Sequence, residues 1–313
     1  MNKKVFVFPG QGSQYVGMGA DLFRSDPAAA HVFKQADQIL GYSLTQLCFE
    51  GPAELLNQTG FTQPAVFTTS IAVLEVLKNQ GVSYEAVAGH SLGEYSALVA
   101  AGVLNFSDAL KIVQKRAQLM EKTVSRNEGG MAAILGLERG MVEEICCLAR
   151  AKGIVQPANF NAPEQVVISG EKAGLEEAFI LARKAGAKRI IPLPVSGPFH
   201  CSLMEGAGQE LALYLEEVSF SVPRVPYVAN VLGDYVSDPE AIKSLLVEQV
   251  KKAVYWEESI KRLSQDGYNT FIEVGPGKVL SGLIKRIVHG AQALYVEDRT
   301  SLQKVLAQLR GTV

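Results

Sequence analysis

The 313-residue chain is 48% hydrophobic and 20% charged, with 30 basic side chains against 32 acidic ones. Balanced charge without a long basic run argues against a nucleic-acid partner, and no segment reaches the roughly 18 apolar residues expected of a membrane span. Cys48, Cys146, Cys147 and Cys201 form neither a CxxC pair nor a disulfide framework, so reduced thiols and a cytoplasmic location are expected.

The length fits one large domain, or a large domain carrying a smaller insertion. Lys4–Phe8 reads as a first strand. Pro9 and Gly10 stop its apolar run well short of a secretion signal. Ala28–Leu40 reads as a helix, Pro64–Asn79 as a second, long one, and Ala86–Gly89 as a short buried strand. Leu92–Ala101 is the next helix, and Ser107 with Asp108 is expected to cap another that reaches about Val124. Such alternation predicts a parallel sheet with helices on both faces.

The texture changes near Arg126–Gly130. Strand Met131–Leu135, helix Arg139–Ala151, strands Val155–Asn159 and Gln165–Ser169, helix Leu175–Ala185 and strand Arg189–Leu193 follow in turn. This β-α-β-β-α-β order is the split, ferredoxin-like pattern. The expected architecture is therefore α/β. A parallel-sheet, α/β-hydrolase-like large domain spans 1–127 and 195–313, and a ferredoxin-like subdomain is inserted at 128–194. After Pro194 the larger part resumes with helices Met204–Glu217 and Ala241–Lys252 and strand Thr270–Val274.

Gly89-His90-Ser91-Leu92-Gly93 is a G-x-S-x-G run between a strand and a helix. There the chain must turn sharply, which presents the serine oxygen beside the unpaired N–H groups of a helix start. The glycines let the turn close without clashes. Ser91 is thus a candidate nucleophile, although a Gly-rich turn with a capping serine would look the same locally.

A serine nucleophile needs a base, and the sequence has four histidines. His90 adjoins Ser91 and should diverge from it. His31 lies within a helix, and His289 follows one near the C-terminus. His200 remains, in the loop Ser196-Gly197-Pro198-Phe199-His200 after a strand, where α/β proteins place chemistry. No third, orienting group can be placed. Asp234 and Asp238 are candidates, and a backbone carbonyl could do the same work.

At 100° per residue, Ala109, Ile112, Val113 and Met120 share one helix face, and Lys111, Lys115, Gln118 and Lys122 the other. Arg116 falls in the middle of the apolar face, so it needs an anion. A buried ion pair with Asp or Glu is one reading. The other is a receptor for a substrate carboxylate, for which a bidentate guanidinium is suited. Such a bond contributes about 1.5–3 kcal/mol, roughly ten- to a hundredfold in preference.

These residues join a larger ordered set. Gly10-Gln11-Gly12-Ser13-Gln14 follows the first strand, and Phe61-Thr62-Gln63-Pro64-Ala65 precedes the elbow. Gly89-His90-Ser91-Leu92-Gly93-Glu94, Gln114-Lys115-Arg116-Ala117 and Gly197-Pro198-Phe199-His200 follow. Asn230-Val231, Val247-Glu248-Gln249 and Glu273-Val274-Gly275-Pro276-Gly277 close the series. From Phe8 to about Leu280 the chain closely resembles the malonyl-CoA:acyl carrier protein transacylases of fatty acid synthesis. Polyketide synthase acyltransferases are similar.

The resemblance implies Ser91 as the acylated nucleophile and His200 as its base. It implies oxyanion-hole N–H groups from Gln11 and Leu92, and malonyl carboxylate binding by Arg116. Gln249 would orient the histidine through its carbonyl, so that no catalytic aspartate is required. Gln63 would help line the site, and Phe199 would select malonyl over branched acyl groups. Cys201 replaces a common serine, and Asn230-Val231-Leu232-Gly233 departs from the usual Asn-Val-x-Ala, which leaves that loop's shape open. The implied reaction is ping-pong: malonyl moves from coenzyme A to Ser91, then to the phosphopantetheine thiol of acyl carrier protein. No metal or other cofactor is implied, and no nucleic-acid or membrane partner. The competing readings are a discrete acyltransferase loading polyketide carriers, a serine hydrolase or thioesterase, and a non-catalytic carrier-binding module. Lys184, Lys188 and Arg189 are candidates for meeting an acidic carrier, or simply a solvated surface.

Overall fold

The run Lys-Val-Phe-Val-Phe forms β1 (Lys4–Phe8) in the computed structural model, which describes residues 3–124 and 129–310. Five helices follow it: α1 (Ala20–Ser25), α2 (Pro27–Leu40), α3 (Leu44–Glu50), α4 (Ala53–Leu56) and α5 (Thr59–Asn79). β2 (Ala86–Gly89) and α6 (Gly93–Ala100) frame the G-x-S-x-G turn, and α7 (Phe106–Val124) carries Arg116. Then come β3 (Gly129–Leu135), α8 (Arg139–Ala149), β4 (Val155–Ala162), β5 (Gln165–Glu171), α9 (Lys172–Lys184) and β6 (Arg189–Pro192). A 3₁₀ turn (Ser202–Met204) leads into α10 (Glu205–Glu216), β7 (Tyr227–Ala229), β8 (Asp234–Tyr235), α11 (Pro239–Lys251) and α12 (Trp256–Gln265). The last elements are β9 (Thr270–Val274), α13 (Val279–Ile287), β10 (Gln292–Val296) and α14 (Arg299–Arg310).

Among the described residues, six strands form one sheet in the order β10-β9-β1-β2-β7-β8, parallel except for β8. Phe6, Phe8 and Val87 point into one apolar cluster, and Val5, Val7, Ala86 and Ala88 into another. The sheet is therefore buried on both faces, which is why its central strands read as unbroken apolar runs. The chain leaves β1 towards β2 on one side, and β9 later takes the other side. The carboxyl end of β1 and β2 is thus a switch point, where open α/β sheets bind ligands.

The remaining strands form an antiparallel sheet, β4-β5-β3-β6. Ala132 and Ile134 of β3 pack with Val142 and Ile145 of α8 and Ala178 of α9. Met131 and Ala133, on the opposite face, join the cluster that holds Phe6 and Phe8. Period-two alternation along one strand thus ties this sheet to two cores.

Some expectations need correcting. α5 starts at Thr59 rather than Pro64, and Pro64 sits inside it. The proline ring cannot donate to the Gly60 carbonyl, but burial of the helix outweighs that loss. α7 is capped by Asn105 rather than by Ser107 or Asp108. Its Oδ1 accepts from the Asp108 N–H at 2.9 Å, and its Nδ2 donates to the Asp108 carboxylate at 2.7 Å. α5 also has the length and composition of a membrane span, contrary to expectation. Its residues from Thr62 to Leu74 are all buried, so its apolar surface is used up in the core. The expected boundary at 127/128 falls within 125–128, outside the described residues.

Candidate active site

Ser91 lies two residues past the end of β2, and its backbone has φ 52°, in the left-handed region. A non-glycine residue there is strained, and close packing around the turn holds it. A Cβ on Gly93 would lie 2.0 Å from the Phe8 carbonyl oxygen, and one on Gly89 2.0 Å from the Gly93 carbonyl. The glycines of the run are thus required by close approach of backbone to backbone. The His90 N–H donates to the Phe8 carbonyl at 3.0 Å, and the Ser91 N–H to Asn230 Oδ1 at 2.7 Å.

His200 arrives from the loop after β6, also with positive φ (58°). Its Nε2 lies 2.7 Å from Ser91 Oγ, and its Nδ1 lies 2.6 Å from the backbone carbonyl of Gln249 on α11. A carbonyl can only accept, so Nδ1 carries the proton and Nε2 is free to accept from the serine. Neither aspartate raised from the sequence takes part: Asp234 pairs with Arg262, and Asp238 caps α11. Burial, and next the Arg116 charge, push the His200 pKa down to about 3, so the imidazole rests neutral.

Arg116 is 1% exposed, as its position on the apolar face of α7 predicts. Among the described residues it forms no ion pair. One terminal nitrogen donates to Gln63 Oε1 at 2.7 Å. The other donates to Gln249 Oε1 at 2.9 Å and to Ser91 Oγ at 3.1 Å. Its guanidinium carbon lies 5.6 Å from the centre of the Tyr95 ring, and its Nε has no hydrogen-bond partner among the described residues. Two neutral amides therefore hold a buried cation that still has donor capacity, aimed at the serine oxygen.

Gln11, Gln63, Ser91, Arg116, Phe199 and His200 all border one cavity of about 80 Å³. It adjoins a hollow of about 190 Å³, with which it shares Gln11, His90, Asn159 and Leu193. Leu92 and Gln249 are fully buried behind the wall. The backbone N–H groups of Gln11 and Leu92 find no acceptor among the described residues. Of the other histidines, His90 borders the cavity and bonds Asn161 at 2.8 Å, whereas His31 and His289 are exposed.

The acyl transferase domain profile matches residues 5–305. The chain belongs to the acyl transferase family. It is 46% identical over 311 residues to the malonyl CoA-acyl carrier protein transacylase of Bacillus subtilis, covering 99% of this chain and 98% of that one. The Escherichia coli transacylase of the same name is 45% identical over 307 residues, covering 98% and 99%. The transacylase structure from Clostridium perfringens superposes with a TM-score of 0.96 at 43% identity, covering 99% and 98%. A malonyl-transacylase solved in complex with its type II polyketide acyl-carrier protein gives 0.95 at 43% identity, covering 98% and 99%.

In this acyl transferase the two departures noted in the sequence have local explanations. The Cys201 thiol donates to the Pro198 carbonyl at 3.0 Å, a bond that a serine hydroxyl would also make. Gly233 has φ 64°, and a Cβ there would lie 2.7 Å from Glu258 Cβ, so the turn after β7 is built around a glycine. Lys184, Lys188 and Arg189 are exposed, but they flank the end of β6 away from Leu193 and Val195 at the cavity wall. Lys188 is paired with Glu164 at 2.9 Å.

The sequence reading gave no role to Glu94 or Tyr95, both buried in the first turns of α6, or to Asn230. The Asn230 side chain donates to the Gly89 carbonyl at 2.6 Å while accepting from Ser91, and so braces both ends of the elbow. Burial raises the Glu94 pKa to about 7 despite several donors around it. A carboxylate in the otherwise apolar run Gly-Glu-Tyr-Ser-Ala-Leu-Val-Ala was the signal for Glu94, of the same kind that singled out Arg116.

Proposed function

We propose that this acyl transferase moves a malonyl group from malonyl-CoA to the phosphopantetheine thiol of acyl carrier protein, in fatty acid biosynthesis. The observation that carries this reading is Arg116, a buried guanidinium that forms no ion pair among the described residues, 3.1 Å from the Ser91 hydroxyl. The malonyl carboxylate binds there. Ser91 Oγ attacks the thioester carbonyl as His200 Nε2 takes its proton, and the Gln11 and Leu92 N–H groups hold the oxyanion. The tetrahedral intermediate collapses, the C–S bond breaks, and His200 returns the proton to the coenzyme A thiolate. The carrier thiol reverses these steps on malonyl-Ser91. Gln249 orients His200, Gln63 holds Arg116, and Phe199 closes the acyl pocket against branched groups. The complex of a similar transacylase with a polyketide carrier protein favours a second reading, in which this chain serves polyketide carriers.

The catalytic part is assigned to 1–127 and 195–313, an α/β-hydrolase-like domain, and 128–194 to an inserted ferredoxin-like subdomain. The antiparallel order β4-β5-β3-β6 with α8 and α9 on one face supports the second assignment. A cytoplasmic location is supported by four unpaired cysteines.

Intact-mass measurement after incubation with malonyl-CoA or acetyl-CoA tests the function. Wild type is expected to gain a malonyl adduct that Ser91→Ala abolishes and that carrier protein discharges. Arg116→Ala lowers the malonyl-to-acetyl ratio about ten- to a hundredfold. Equal labelling of wild type by both donors removes the role given to Arg116, and rapid release of free malonate in the presence of carrier favours a hydrolase.

A further inference from the structure

Glu94 touches none of the reacting groups, yet three donors, from β7, the turn after it and α11, converge on its carboxylate. Oε1 accepts from the Tyr227 hydroxyl on β7 and from the Asn230 N–H at 3.1 Å. Oε2 accepts from Gln249 Nε2 on α11. Glu94 is 1% exposed and pairs with no cation among the described residues. A buried carboxylate of this kind is costly, and its donors must repay that cost.

The Gln249 amide shows what the carboxylate does. Its Nε2 donates to Glu94 and to the Ser91 carbonyl, the latter at 2.9 Å, while its Oε1 accepts from Arg116 at 2.9 Å. An amide can be turned end for end at little cost in shape. Turned here, it would set its NH₂ against the guanidinium and its oxygen against both the carboxylate and the Ser91 carbonyl. The Ser91 carbonyl and the guanidinium oppose that state, and Glu94 in its ionised, acceptor-only form adds the charged partner that locks the amide against it.

We propose that Glu94 is a positioning residue that fixes the Gln249 amide in the orientation presenting Oε1 to Arg116, and so aims the guanidinium at the acyl pocket. The inference rests on the reading of Arg116 as the malonyl carboxylate receptor. It also explains why a charged residue stands three positions after the nucleophile on a helix with no exposed face at that point.

Glu94→Gln tests it. The new side chain keeps its size, and its oxygen can still serve Tyr227 and Asn230. Its NH₂ then faces the Gln249 NH₂, donor against donor, which removes the charged restraint and shifts the amide towards the state that turns its oxygen away from Arg116. Single-turnover acylation of Ser91 is measured with malonyl-CoA and acetyl-CoA. The malonyl-to-acetyl rate ratio is expected to fall about tenfold, the worth of one charge-assisted hydrogen bond, with the acetyl rate little changed. Tyr227→Phe, which touches only the other carboxylate oxygen, leaves the ratio in place. In a Gln249→Ala background Glu94→Gln has no further effect on the ratio, because its route is gone.

A purely structural role would lower both acylation rates together and leave the ratio unmoved, and that result overturns the proposal. If Arg116→Ala lowers the ratio and Glu94→Gln does not, only the role of Glu94 falls. If Arg116→Ala leaves the ratio unchanged, both fall. Should Glu94→Gln yield no folded protein, Glu94→Asp, charged but one methylene short of Gln249, is read in the same assay with the same expectation.

Discussion

Removing the positive charge at Arg116 should make His200 easier to protonate. The bonds of 3.1 Å and 2.7 Å that meet at Ser91 Oγ place the guanidinium and imidazole nitrogens no more than about 6 Å apart. At an effective dielectric constant of about 20, two unit charges at that distance repel by about 3 kcal/mol, or about 2 pH units. Burial is the larger cause of the low His200 pKa of about 3 and remains in a variant, so Arg116→Gln should move the acid limb up to about pH 5. The assay is single-turnover acylation with acetyl-CoA, whose acyl group has no carboxylate for the proposed receptor, across pH 4.5–8 after brief pH jumps. Wild-type rates are expected to stay flat down to about pH 5, with those of the variant halved there. A wild-type limb at the ordinary histidine value refutes the reasoning, as does a limb that the substitution leaves unmoved.

The same depressed pKa bears on stability. The folded state holds His200 neutral while the unfolded chain protonates it near pH 6.5, so its contribution is present above that pH and lost as pH falls towards 3. Urea denaturation should show the stability gap between wild type and His200→Asn narrowing in wild type's disfavour as pH drops through this window. Gly93→Ala forces a methyl group onto the Phe8 carbonyl oxygen and should cost more than about 3 kcal/mol, read as a lowered urea midpoint or loss of soluble protein.

The elbow, the lone inward arginine and the β-α-β-β-α-β order were legible because each breaks or follows a simple period. Arg116 stood out as a charge on an apolar helix face, and elimination among four histidines left His200. Elements whose logic is tertiary stayed hidden. The start of α5 at Thr59 depends on core burial that overrides a proline, and the short strands β7 and β8 and the edge strand β10 carry little pattern of their own. Asn230 and Glu94 were invisible in role because each acts through backbone and amide groups contributed by distant segments. The orienting carbonyl of Gln249 belongs to the main chain, on which side-chain identity is silent.

That choice of orienting group has an electrostatic consequence. An aspartate holding His200 would add a negative charge close to a guanidinium with open donor sites. Arg116 could swing onto it, and an incoming carboxylate would then have to displace a resident one. A peptide oxygen fixes the imidazole just as firmly and carries no net charge. On the proposed reading, serine chemistry and recognition of an anionic acyl group can thus share one site without a triad carboxylate competing for the cation.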